Sequence, residues 1–327
     1  MISERTQRIL LASKVKGVGR RTLFELVRDR LFFELDLSDL HDNFPELAAL
    51  KPSTKSNDDA LRSTEQDINE ASRRNHSILS FLDQKYPRLL TSVPDRPALL
   101  FVAGSPDLLS DKSVAIVGTR EPTAHGLETC RRITSHFSAN GWQIISGLAK
   151  GIDAAAHCAA VECSASTVAV LAHGLEKIYP SENREIAAAI VDHGGLLVSE
   201  YPYFAKTFAP MFVERDRIQA GMARAVIMIQ SDEQGGSWHA SRAALKYGRK
   251  LLVPNPTERD LKMGEPKIRG NMKIMNSSKD ELARFLKCSS EDTDKVNVIY
   301  GREDYEVIAA DLDVSPNNTV SVKLEGA

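Results

Sequence analysis

The chain is poor in cysteine: four in 327 residues, at Cys130, Cys158, Cys163 and Cys288, with no C-x-x-C pair. That spacing excludes a zinc ribbon and a disulfide framework, and the four are read as reduced packing residues. An excess of charge of either sign is also missing, since 42 Lys and Arg stand against 44 Asp and Glu for a formal net charge of −2. A polyanionic partner therefore has to be met by a local patch and not by the field of the whole chain. No apolar run approaches the ~20 residues that cross a bilayer. The N-terminal MISERTQRILLASKVKG is charged from its start and lacks the apolar core of a secretory signal, so a cytoplasmic protein without a membrane segment is expected. There is no G-x-G-x-x-G fingerprint, no Walker lysine motif and no metal-ligand spacing, which removes the usual support for a dinucleotide, a P-loop or a metal site.

What is present is alternation. Apolar segments at 114–117, 143–145, 167–171, 196–198, 225–229 and 251–253 are separated by stretches of helical composition. This pattern predicts βαβ units with right-handed crossovers: an α/β fold with a Rossmann-like, doubly wound, mostly parallel sheet. No repeat of solenoid period is found. Residues 1–75 are read as a small helical N-terminal domain, in which Ile9, Leu10, Val15, Leu23, Leu26 and Val27 share an apolar face broken at Lys16-Gly17-Val18-Gly19. The polar KPSTKSNDDALRSTEQ that follows is read as a mobile linker. Residues 76–287 form the sheet domain. Residues 288–327 are read as a short appendage or partly ordered tail in which VNVIY and TVSVKL have strand character.

Ligands of such sheets sit beyond the carboxyl ends of the strands, so the residues after each apolar run are the candidates. The first run is followed by Gly118-Thr119-Arg120, a glycine turn opening a helix, where free amides and a planar cation suit phosphate oxygens. The plainer reading is a glycine needed only for the turn and a surface arginine. The second run is followed by SGLAKGIDAAAH, in which Gly147 and Gly151 bracket Lys150. Lys150 is taken as an anion contact, Asp153 as a helix cap, and His157 as a half-buried helical residue, with a catalytic Lys-Asp-His cluster as the alternative. His173 is either a ligand contact or a histidine satisfied by neighbouring backbone. Further on, Arg215 and Arg217 lie in ERDRI, where a helix-face salt bridge is the competing account, and Gly236 and Ser237 lie in a third glycine turn. Together these turns predict one basic crevice.

GTREPTAHG, SGLAKGIDAAAH, LAHGLEKIYPSENR, GGLLVSEYP, ERDRIQAGM and GGSWHAS, in that order, resemble the DNA-processing protein A family, also called Smf, over roughly residues 80 to 275. The resemblance implies a Rossmann-like domain that binds single-stranded DNA, forms a homodimer and helps load a RecA-type recombinase in natural transformation. Carried over position by position, it implies that Arg120, Lys150, Arg215 and Arg217 contact the DNA backbone. It also implies no catalytic residues, no cofactor and no metal. ASKVKGVGRRTLFELV resembles a helix-hairpin-helix turn of the family's N-terminal domain.

The chain departs from the family pattern at named places. Asp216 stands where the family usually has asparagine in R-N-R-I, Trp238-His239 interrupt the usual S-G-S-L-x-T-A, Asn255 replaces the glycine of V-P-G, and no winged helix follows residue 290. Two other readings therefore stay open. One is a nucleotide-sensing or nucleotide-hydrolysing site using Asp153, His157, Glu200 and His239; against it, the P-G-G-x-G-T-x-x-E signature of the related phosphoribohydrolases is absent. The other is a DNA-sensing scaffold acting with a genetically linked partner protein.

Overall fold

The protein is described by a computed structural model over residues 2–314. Nine strands, β1 (Ser77–Ser80), β2 (Leu99–Ala103), β3 (Ser113–Val117), β4 (Gln143–Ser146), β5 (Thr167–Leu171), β6 (Leu196–Ser199), β7 (Ala225–Met228), β8 (Lys250–Pro254) and β9 (Val296–Ile299), form one sheet in the order β1-β2-β6-β5-β4-β3-β7-β8-β9. From β6 to β9 all neighbours are parallel, and β1 and β2 add an antiparallel edge. The strands β2 to β7 are buried throughout, as expected of a sheet covered on both faces. The expected α/β class and mostly parallel sheet are what the chain adopts.

One face carries a core of Val102, Val117, Val170, Val198 and Met228, packed by the helices Ala209–Gly221, Trp238–Lys246 and Lys279–Leu286. The other face is shared. Helices Ala124–Ala139, Ile152–Glu162 and Glu303–Val314 cover Val114, Ile116, Ile144 and Ile227. The N-terminal helices cover Ile78, Leu99, Phe101 and Leu171, so Ile9, Leu10, Phe32 and Leu47 belong to a core continuous with the sheet.

Three expectations are corrected. The polar stretch read as a mobile linker is a helix, Lys55–Arg73, started by Thr54, whose hydroxyl accepts from the Asn57 amide. Its buried stripe is Ala60, Thr64, Asp67 and Ala71, at helical spacing but made of small and polar residues, which is why hydrophobic periodicity misses it. The Asp67 carboxylate takes the half-buried Lys14 ammonium and the Tyr203 amide. Next, residues after 287 are not a simple appendage: VNVI is β9, paired in parallel with β8, and Tyr305 and Leu312 of the last helix are buried against the sheet face. TVSVKL lies outside the described residues. Finally, all four cysteines are free, but only Cys130 is buried; Cys158 and Cys288 are half-buried, and Cys163 is exposed instead of serving as a packing residue.

Candidate nucleic-acid interface

In this strand order the connections leaving β3 and β7, which are neighbours, diverge to opposite sides of the sheet: β3 continues to β4 and β7 to β8. A crevice at their carboxyl ends follows from that divergence. It is occupied by a cleft of about 450 Å³, floored by Val117, Ala149 and Gln219 and rimmed by Gly118, Thr119, Arg120, Gly236 and Ser237. A second cavity of about 60 Å³ lies beside it, lined by Gly147, Lys150, His173 and Tyr179, and the two share Arg120, Ala149, Phe212 and Arg215.

Close backbone approach explains the glycines. A Cβ on Gly118 would stand 2.6 Å from Ile152 Cγ1, the start of the next helix, and Gly151 adopts φ 79° with its Cα face against the Thr119 and Arg120 backbone. The Ile152 amide donates to the Thr119 carbonyl at 3.2 Å, so the first two turns are stitched together. The third turn is fixed from beneath. Asn271 donates to the Ile229 and Pro254 carbonyls and accepts from the Ser231 amide at 3.2 Å, while the Trp238 indole donates to the Asp232 carbonyl at 2.7 Å.

The cations divide into two kinds. Arg120 is exposed, forms no ion pair among the described residues, and lies 5.9 Å from the centroid of the Phe212 ring. Phe212 in turn meets the exposed Tyr179 ring at 5.7 Å. Lys150 is exposed and paired with Glu182 at 2.5 Å. Arg215, by contrast, is 4% exposed, and one of its nitrogens donates to the carbonyls of Gly147 and Val170. Arg217 faces away from the cleft, bound to Glu200 at 2.6 Å, with both side chains 14% exposed. The fold thus engages both ERDRI arginines, Arg215 through Nε and one terminal nitrogen and Arg217 through Glu200, whereas Arg120 stays outside any ion pair among the described residues.

The crevice is also less basic than expected. Arg120, Arg215 and Lys267 face Glu121, Asp153, Asp216 and Asp232 across it. Lys267, which the sequence reading missed because it lies far along the chain, bridges Glu121 at 3.3 Å and Asp232 at 3.5 Å. Burial pushes the Asp216 carboxyl up to about 7 against the pull of Arg215, and raises Asp153 in the same way. Asp153 reaches back to the Ala149 amide at 3.4 Å instead of capping its own helix.

The acid–base candidates do not converge. Asp153 and His239 line the cleft, but Glu200 lines a different cavity with Lys14 and Arg20. His157 is fully buried, bonded through Nδ1 to Thr167 at 2.8 Å, and burial with the nearby Arg215 charge lowers its pKa to about 3. His173 is satisfied by backbone, through the Gly174 carbonyl and the Tyr179 amide. Among the described residues no group of three His, Cys, Asp or Glu side chains is placed to hold a metal ion, and no helix is long and apolar enough to cross a membrane.

Comparison with known proteins agrees with this architecture. The chain is 39% identical over 171 residues to the DNA processing protein DprA of Bacillus subtilis, covering 52% of this chain and 57% of that protein. It is 36% identical over 209 residues to DprA of Streptococcus pneumoniae, covering 63% and 73%. It thus spans from 42% to 73% of the length of the relatives it matches. The solved structure of S. pneumoniae DprA superposes with a TM-score of 0.63 at 27% identity, covering 85% of this chain and 99% of that one. A DprA from Helicobacter pylori, described for its single-stranded DNA binding mode, shares the fold with a TM-score of 0.59 at 24% identity, covering 73% and 98%. The family model for DNA recombination-mediator protein A matches residues 77–286, and the chain belongs to that family.

Proposed function

We propose that the protein is a non-enzymatic, single-stranded DNA-binding member of its family, and that Arg120, Lys150 and the amides of the Gly118, Gly147–Gly151 and Gly236–Ser237 turns meet the phosphates. The observation that carries this reading is Arg120, an exposed cation that forms no ion pair among the described residues, set against Phe212 and Tyr179 at the mouth of the strand-end cleft. Single-strand binding needs cations that follow phosphates and rings on which bases stack, and both stand together here. The acid–base candidates lie in separate places, which favours binding over turnover. Arg215 and Arg217 act as supports that shape the turns. The family resemblance extends the reading to a homodimer that passes its strand to a RecA-type recombinase.

A salt titration tests it. Fluorescence anisotropy with an oligothymidine is expected to show log affinity falling with log salt by about 0.7 for each phosphate contact. Arg120→Ala weakens binding and lowers that slope by about one contact. Absence of binding at low salt, or an Arg120→Ala variant that binds as the parent does, refutes the reading. Recombinase loading is tested separately, by mixing the DNA complex with a RecA-type protein and following filament formation.

A further inference from the structure

The cleft holds more acceptors than a phosphate site should. Asp216 Oδ1 accepts from Arg215 Nε and Gln219 Nε2, each at 3.2 Å, and Oδ2 forms no hydrogen bond among the described residues. Beside it Gln219, 1% exposed, uses its amide nitrogen on Asp216 and leaves Oε1 buried without a donor. A buried acceptor left unpaired is costly, so Gln219 Oε1 marks a place in the cleft where a donor is wanted. A phosphate supplies none at neutral pH and adds negative charge opposite Asp216 and Asp153.

We propose that this floor reads bases: Asp216 and Gln219 select bases that carry an exocyclic amine over thymine and uracil in the bound strand. The inference rests on the single-strand reading above, which places phosphates on Arg120 and the glycine turns at the rim. What enters between successive phosphates is a base, and the cleft, at about 450 Å³, lies within the ~300–1,000 Å³ range of small-ligand sites. Cytosine presents its N4 amine, adenine its N6 amine and guanine its N1–H and N2 amine, each able to donate to a carboxylate. Thymine and uracil turn carbonyl oxygens on both sides of a single N–H, and those oxygens would oppose Asp216. Phe212 and Ala149 supply the apolar wall against which the ring lies. Asparagine, the residue the family more often has at 216, can turn either a donor or an acceptor to the base and so does not oppose thymine and uracil as the carboxylate does.

The test compares an oligodeoxycytidine with an oligodeoxyuridine of equal length, which differ in the amine and not in a methyl group. At about pH 8, where Asp216 is mainly ionised, the intact protein is expected to bind the cytidine strand about tenfold more tightly, and Asp216→Asn to reduce the ratio toward one. Circular dichroism melting establishes that the variant is folded. Equal affinity of the parent for both strands overturns base reading while leaving phosphate binding in place. A preference that survives Asp216→Asn overturns the assignment to Asp216. Binding of neither strand at low salt removes the single-strand reading together with this one.

Discussion

The Arg215 guanidinium occupies the space that a side chain on Gly147 would need, and donates to the Gly147 carbonyl. One contact thus joins the turn that leaves β4 to the helix that follows β6. It explains why a glycine stands there: the backbone φ is unexceptional, and the constraint is the arginine. Gly147→Ala is expected to displace the guanidinium and destabilise the protein by about 1–3 kcal/mol, read as a lower urea midpoint with unchanged slope. A variant as stable as the parent would mean that Arg215 has room to move.

Lys150 is held by Glu182, one exposed carboxylate against one exposed ammonium. DNA must compete with that carboxylate. Glu182→Gln is therefore expected to tighten oligonucleotide binding, most at low salt where exposed charges are least screened, and Lys150→Ala to weaken it. Equal affinities for all three proteins would place Lys150 outside the contact surface.

Asp216 makes stability depend on pH in a defined direction. Its carboxyl titrates near 7 in the folded protein and in the ordinary carboxylate range when unfolded, so the folded state holds the proton more tightly. The resulting stability is complete below the unfolded pKa and is lost as pH rises through about 7. Asp216→Asn removes that loss, so its melting temperature relative to the parent should be higher at about pH 8 than at about pH 5. His157 acts in the opposite sense: its pKa is depressed to about 3, so its contribution is present above the normal imidazole range and is lost as pH falls. Because His157 is common to both proteins, its own pH dependence cancels in the difference between them.

Leu312 is 1% exposed and packs with Tyr305 into the core over β3 and β7. Leu312→Ala is expected to cost about 2–5 kcal/mol, the range for emptying a buried leucine site. Chemical denaturation measures it. A change near zero would return the last helix to the status of an appendage.

Sequence alone reached the parallel sheet, because strands buried on both faces must be apolar along their length and the segments at 114–117, 167–171 and 225–229 are. It reached the glycine turns for a related reason, since strand-to-helix turns under close backbone approach admit little else. The helix at Lys55–Arg73 escaped because its buried stripe is alanine, threonine and aspartate, and the aspartate is buried only because Lys14 from another element neutralises it. The site divided in the same way. Arg120 and Arg215 look equivalent in sequence, each an arginine beyond a strand end. Tertiary structure separated them: the carbonyls of Gly147 and Val170 converge on Arg215 from two different segments, whereas among the described residues Arg120 forms no ion pair and lies against the Phe212 ring. Chain order carries the residue types and their local turns. Which cation stays free for a ligand depends on acceptors brought from distant segments, and only the folded arrangement fixes those.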